Sequence, residues 1–143
     1  MPNSTSLAMD QKDLDMILVL DFGSQYTQLI ARRVRELDVF SEILPWDISS
    51  ERIQALKPSG IILSGGPESV TGSNTPRIPE VVFDLDIPIL GICYGMQTLA
   101  EQFGGQVTPS KTKEFGHAEI IIEEKSVLFE GFSAGSSIDV WMS

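Results

Sequence analysis

Short apolar runs alternate with segments of helical periodicity over the first two thirds of the chain. Continuous apolar runs are typical of strands that are buried on both faces of a sheet. Four such strands are predicted, over residues 17–20, 39–44, 60–63 and 87–92. Apolar positions with helical spacing predict helices over residues 26–37, 49–56, 80–85 and 96–103. This alternation predicts an α/β fold with an open, mostly parallel, flavodoxin-like sheet that carries helices on both faces.

The pattern changes at both ends of the chain. Residues 118–124 and 138–142 read as strands with no strong helix between them, which predicts a small antiparallel extension at the C-terminus. Residues 1–15 are polar and aperiodic and predict a mobile tail. The domain itself is therefore expected over residues 16–143.

Composition narrows the class of protein. Hydrophobic residues make up 42% of the 143 residues, enough for a packed core. A formal net charge of −10 argues against a nucleic-acid or anionic membrane surface, since both need clustered Lys and Arg. The single cysteine excludes an internal disulfide. Neither a membrane-spanning apolar run nor a secretory signal is visible, so a cytoplasmic location is expected.

The cysteine lies in the string Gly91-Ile92-Cys93-Tyr94-Gly95, between a predicted strand and a predicted helix. A lone cysteine is usually a small buried hydrophobe. Here, however, a nucleophile flanked by glycines at a strand-to-helix turn is the nucleophile-elbow arrangement. A helix start favours a thiolate, which is competent for acyl transfer, and the amide of Tyr94 can donate to an oxyanion. Cys93 is therefore the candidate nucleophile.

A second motif, Ser64-Gly65-Gly66-Pro67, follows the third predicted strand. It reads either as a tight turn or as a loop whose glycine amides approach a substrate beside Cys93, with Gly66 completing an oxyanion hole. It lacks the Gly-Lys-Ser/Thr of a P-loop and the Gly-x-Gly-x-x-Gly dinucleotide pattern. Gln97 follows Cys93 by one helical turn and reads either as a solvated residue or as part of the same pocket. Asp21, at a strand end, reads either as a phosphatase-type carboxylate or as a residue that organises its turn.

The combination of Gly91-Ile92-Cys93-Tyr94-Gly95-Met96-Gln97 with Ser64-Gly65-Gly66-Pro67 resembles the class I, triad-type glutamine amidotransferases. Three further stretches are similar to the amidotransferase domains of the GMP synthetase family: Asp21-Phe22-Gly23-Ser24-Gln25-Tyr26, Glu114-Phe115-Gly116 and Asp139-Val140-Trp141-Met142-Ser143. In that family the domain hydrolyses glutamine to glutamate and ammonia. An ATP-pyrophosphatase domain of the same enzyme then aminates xanthosine monophosphate (XMP) to GMP.

The resemblance implies roles for individual residues. Cys93 is implied as the nucleophile that forms a γ-glutamyl thioester, and the amides of Gly66 and Tyr94 as the oxyanion hole. The residues implied to bind glutamine are Gly65, Gly66, Gln97 and Ser143. No metal and no cofactor is implied in this domain, whereas ATP and Mg²⁺ are used by the ATP-pyrophosphatase domain. A homodimeric parent enzyme is also implied.

The general base is the part of the implied site that this sequence does not supply. The family holds it in a His-x-Glu pair downstream of the Trp-Met-Ser motif, and the chain ends at Ser143. We therefore expect a domain incomplete at its C-terminus, with little glutaminase turnover on its own and a tendency to associate. His117, the single histidine, is expected to have a surface or packing role.

Two alternatives remain open from the sequence. One is another class I amidotransferase, such as those that serve anthranilate, CTP or carbamoyl phosphate synthesis. The other is a non-catalytic, flavodoxin-like module that binds a nucleotide or a flavin. A yellow preparation is expected only for a flavin-binding module.

Overall fold

The computed structural model describes residues 14–66, 76–108 and 116–142. The chain divides into two compact units, residues 1–107 and residues 108–143. Most of the predicted polar tail, residues 1–13, lies outside the described residues.

A parallel sheet forms the centre of the first unit. Its elements in chain order are β1 (Met16–Asp21), α1 (Thr27–Glu36), β2 (Phe40–Pro45), α2 (Ser50–Leu56), β3 (Gly60–Leu63), α3 (Glu80–Asp84), β4 (Ile89–Gly91) and α4 (Tyr94–Gln102). The four strands are parallel and lie in the order β2-β1-β3-β4. The predicted α/β class and strand–helix alternation are confirmed.

The strand order reverses direction between β1 and β3. The chain moves outward from β1 to β2 and then returns across β1 to β3. Because parallel crossovers are right-handed, α1 covers one face of the sheet while α2 and α3 cover the other. We call the position at the carboxyl ends of β1 and β3 the crevice, since ligands of open α/β sheets bind at such a reversal of strand order.

The core of the first unit consists of the strands and the helix faces that pack on them. Leu18, Leu20 and Leu63 are fully buried in β1 and β3, and Ile53 and Val82 are fully buried in α2 and α3. Burying one such side chain stabilises a fold by about 1.5–3 kcal/mol. The carboxyl ends of β1 and β3 are therefore set in a firmly packed sheet.

Most element ends differ from the sequence prediction by one to three residues. The strand predicted over residues 87–92 is shorter, because Pro88 has no N–H for the ladder, although Ile92 still donates to the Leu63 carbonyl at 2.9 Å. Ser49 caps α2 by accepting from the Arg52 amide at 3.3 Å.

The second unit is an antiparallel hairpin. β5 (Gly116–Ile121) pairs with β6 (Ser137–Met142), and a short 3₁₀ helix, Val127–Phe129, lies between them in sequence. This confirms the predicted antiparallel extension. His117 is exposed on β5, with Nε2 3.0 Å from Oδ1 of Asp139. Among the helices that the structure describes, none is long and apolar enough to span a bilayer.

Candidate active site

Cys93 lies between β4 and α4 in a backbone conformation that is unusual for a non-glycine residue. Its φ is 53° and its ψ is −115°, and its side chain is exposed. Lys57, by comparison, has a positive φ of 47° with a ψ of 58°, the ordinary left-handed end of a helix. The ψ of Cys93 falls outside that region, so the turn holds a strained backbone. Such strain at a strand-to-helix turn is the elbow arrangement predicted from the sequence.

The glycines on either side of Cys93 permit close approach of backbone to backbone. A Cβ on Gly91 would lie 2.8 Å from the amide nitrogen of Met96, and a Cβ on Gly95 would overlap the Leu63 carbonyl oxygen and lie 2.7 Å from Leu63 Cβ. Real Cβ atoms do not approach so closely. The first turn of α4 therefore packs directly on the end of β3, which fixes Cys93 at the edge of the sheet.

The loop after β3 lies against the elbow. A Cβ on Gly65 would stand 2.6 Å from Cys93 Cβ and 3.5 Å from its Sγ. A Cβ on Gly66 would overlap the carbonyl oxygen of Phe22, in the turn after β1. Three loops, after β1, β3 and β4, thus meet at the crevice. The fourth residue of the predicted motif, Pro67, lies outside the described residues.

The backbone amides of Gly66 and Tyr94 are available as donors at this edge. Within the described residues, no hydrogen bond is donated by the amide of Gly66 or by that of Tyr94. Tyr94 is the first residue of α4, where an amide has no acceptor inside the helix. An oxyanion hole needs donors of this kind, aimed at a developing negative charge.

The Tyr94 side chain is part of the core rather than of the crevice. It is 2% exposed, its hydroxyl donates to the Pro76 carbonyl at 2.6 Å, and its ring centroid lies 5.8 Å from that of Phe22. The ring therefore anchors the start of α4, while the backbone amide remains available.

Gln97 follows Cys93 by one helical turn, as predicted. Its backbone amide donates to the Cys93 carbonyl at 3.1 Å, which forms the first hydrogen-bonded turn of α4. The residue is partly buried. Ser143, the other predicted glutamine ligand, lies outside the described residues.

Two features that the sequence did not indicate support these loops. The Gln102 side chain accepts from the Ile78 amide at 2.8 Å and donates to the Ile78 carbonyl at 3.0 Å, so α4 holds the segment before α3. Ser64 and Thr27 share a buried hydrogen bond of 3.0 Å.

Asp21 organises its turn, as one interpretation predicted, by accepting from the Gly23 amide at 2.8 Å. The sequence shows these polar side chains near strand ends, but it does not show their hydrogen-bond partners, which are distant in sequence.

Backbone strain at Cys93 leads to a testable difference between two substitutions. We expect the free energy of unfolding of Cys93→Gly to be about 1 kcal/mol higher than that of Cys93→Ala. Glycine adopts this backbone conformation without the steric penalty of a Cβ. Urea denaturation of both variants measures the difference. If alanine is as stable as glycine at this position, the backbone is not strained.

The anchoring role of the Tyr94 hydroxyl is tested by Tyr94→Phe. We expect the free energy of unfolding to fall by about 1 kcal/mol, since the Pro76 carbonyl loses its hydrogen bond while the ring stays packed. Tyr26→Phe is the control, because Tyr26 is 47% exposed. Equal denaturation midpoints for the two variants would contradict this role.

Comparison with known proteins decides the family. The sequence profile of glutamine amidotransferase class-I matches residues 18–143. The chain belongs to the class I glutamine amidotransferase family. The resemblance drawn from the elbow and the Ser64-Gly65-Gly66-Pro67 loop is thereby confirmed.

Two relatives of this amidotransferase chain carry the same name. It is 58% identical over 133 residues to a GMP synthase (glutamine-hydrolyzing) from Ectopseudomonas mendocina, and 54% identical over 137 residues to one from Hamiltonella defensa. The matches cover 89% and 92% of this chain but only 25% and 26% of the relatives. The chain thus spans about a quarter of the length of these relatives.

A solved structure supports the fold of this amidotransferase chain. A crystal structure from Thermoplasma acidophilum, of a protein assigned as a GMP synthase subunit, matches with a TM-score of 0.71 and 33% sequence identity. The match covers 90% of this chain and 63% of the other. The flavodoxin-like sheet with its antiparallel extension is therefore shared with that protein.

Proposed function

We propose that residues 16–143 belong to the glutamine-hydrolysing domain of a GMP synthase, with Cys93 as the nucleophile. The observation that carries this proposal is the exposed Cys93 at a strained turn, with Gly65 packed against it. An exposed thiol at a helix start, beside two available amides, suits acyl transfer from an amide substrate.

The proposed chemistry proceeds in two steps. Cys93 Sγ bonds to the side-chain carbonyl carbon of glutamine, the C–N bond breaks, and the thiol proton leaves with ammonia. Water then cleaves the γ-glutamyl thioester, which releases glutamate and restores the thiol. In both steps the carbonyl oxygen becomes an oxyanion, which the amides of Gly66 and Tyr94 stabilise. Gly65, Gln97 and Ser143 orient the glutamine.

The remaining roles concern the whole enzyme. We propose that an ATP-pyrophosphatase domain of the same enzyme uses the ammonia to aminate XMP. We further propose that this enzyme is a cytoplasmic homodimer that binds neither nucleic acid nor membrane. The loop after β3 lacks the Gly-Lys-Ser/Thr of a P-loop, which supports a nucleotide site elsewhere. We place ATP and Mg²⁺ in the ATP-pyrophosphatase domain and no cofactor in this one.

The glutamine site is tested by covalent labelling. The chloroketone analogue of L-glutamine should add one equivalent to the chain, located at Cys93 by mass spectrometry, and L-glutamine should protect the thiol. D-glutamine is the control and should not protect. Because the chain has a single cysteine, no other thiol contributes to the signal. Labelling that L-glutamine does not slow would contradict the proposal, and a bound yellow chromophore would favour the flavin-binding alternative.

The whole-enzyme proposal is tested with the product of the complete gene. We expect GMP formation from XMP, ATP and glutamine, with ammonia as a substitute for glutamine. Absence of GMP, with formation of anthranilate, CTP or carbamoyl phosphate when chorismate, UTP or bicarbonate replaces XMP, would overturn it without affecting the assignment of Cys93.

A further inference from the structure

A buried hydrogen-bond network joins the ends of β1 and β3 at the point where the strand order reverses. Thr27 is 2% exposed and Ser64 is fully buried. The Thr27 hydroxyl lies 3.0 Å from Ser64 Oγ and 3.0 Å from Oδ1 of Asp21. The Ser64 hydroxyl donates to the Leu20 carbonyl at 2.8 Å and accepts from the Phe22 amide at 3.3 Å. Thr27 has one hydroxyl proton, so it donates to Asp21 Oδ1 when Ser64 donates to Thr27 Oγ, and to Ser64 Oγ when Ser64 donates to the Leu20 carbonyl. In either arrangement the two hydroxyls and the Phe22 amide stay connected.

Phe22 links this network to both candidate oxyanion donors. Its carbonyl oxygen lies so close to Gly66 that a Cβ there would overlap it. Its ring contacts the Tyr94 ring, with centroids 5.8 Å apart and planes inclined by 44°. Phe22 is itself 4% exposed, so it has little room to move independently. A displacement of Phe22 would therefore shift the Gly66 loop and the start of α4 relative to each other.

We infer that Thr27, acting through Ser64 and Phe22, is a positioning residue that sets the spacing of the Gly66 and Tyr94 amides around the substrate oxyanion. The Thr27 hydroxyl bonds to Asp21, the Ser24 carbonyl and Ser64 rather than to Cys93, so its effect is transmitted through the network. Oxyanion donors lose effectiveness with small displacements, because the bonds must match the transition-state oxygen rather than the ground-state carbonyl. This inference rests on the proposed function.

Thr27→Val tests the inference, because valine keeps the branched shape of threonine and replaces the hydroxyl with a methyl group. Two reagents are compared on the same chain: the chloroketone analogue of L-glutamine, whose ketone oxygen takes the oxyanion position, and iodoacetamide, which reports general thiol reactivity. We expect the second-order rate constant of chloroketone labelling to fall about tenfold, the equivalent of one to two lost hydrogen bonds. Iodoacetamide labelling should stay within about twofold, a change too small to indicate a lost hydrogen bond.

Two further variants separate positioning from stability. Thr27→Ser keeps the hydroxyl and should restore the chloroketone rate. Ser41→Ala is the matched control, since Ser41 is also buried, lies near the amino end of β2 and donates to the Ala31 carbonyl at 3.0 Å. It should lose comparable stability in urea denaturation and label at the normal rate.

Each outcome is decisive. A normal chloroketone rate in Thr27→Val, or an equal loss with both reagents, overturns the inference and leaves the proposed function standing. If L-glutamine does not protect Cys93 of the unmodified chain from labelling, the proposed function is overturned, and this inference with it. A selective loss in Thr27→Val, rescued by Thr27→Ser and absent in Ser41→Ala, supports the positioning role.

Discussion

We expect Cys93→Ser to reduce labelling by the chloroketone analogue of L-glutamine at least about 1000-fold, because an unactivated hydroxyl is a far weaker nucleophile than a thiolate. The substitution changes one atom, so the elbow backbone and its contact with Gly65 should persist. Mass spectrometry of the intact chain measures the loss.

Binding provides the control for this variant. Cys93→Ser should still bind L-glutamine, since the amides and the neighbouring loops are unchanged, and isothermal titration measures that affinity. Unmodified chain and variant should also unfold at similar urea concentrations. Covalent addition to the serine variant at a rate near that of the unmodified chain would show that the reagent reacts elsewhere and would remove Cys93 from its assigned role.

We expect Gly95→Ala to lower the free energy of unfolding by about 2–3 kcal/mol, because overpacking of this kind outweighs the gain of up to about 1 kcal/mol in helix propensity. A Cβ at Gly95 would lie 2.7 Å from Leu63 Cβ and 2.8 Å from the Leu63 carbonyl carbon. Because the Leu63 carbonyl carbon is backbone in the central sheet, α4 must move away from β3. Urea denaturation with unchanged m-values measures the effect.

Gly60→Ala is the matched control for this prediction. A Cβ there would lie 3.2 Å from Cδ1 of Ile17, the end of a flexible side chain that can give way. Gly60→Ala should therefore lower the free energy of unfolding by less than about 1 kcal/mol. Gly95→Ala should also slow chloroketone labelling, since the displaced helix carries the Tyr94 amide with it. Equal costs for the two alanines would show that α4 is not packed on β3 as described.

The sheet could be predicted because burial constrains local composition. A strand covered on both faces must be apolar along its length, and β3 was predicted with the bounds that the structure has. Boundaries were less accurate where a single residue decides them. Pro88 shortens β4, and α1 begins at Thr27, one residue after the start of its predicted apolar periodicity.

The candidate site was predictable only in part. Cys93 and the glycines around it carry a local signal, because a tight strand-to-helix turn requires small neighbours. The partners of Ser64 and Gly65 carry no such signal. Gly65 packs on Cys93 and Ser64 bonds to Thr27, and each pair is separated by many residues in sequence.

By itself, the sequence determined the α/β class, the family and the residue that can act as a nucleophile, since these depend on periodicity and on chemistry carried within a few neighbouring positions. Only the tertiary structure decided that Cys93 has a strained backbone, that Phe22 contacts both Gly66 and the Tyr94 ring, and that the Thr27 hydroxyl bonds to Ser64. These contacts exist because parallel strands bring their carboxyl ends together at one edge, and the reversal of strand order places the turn after β1 beside the loop after β3.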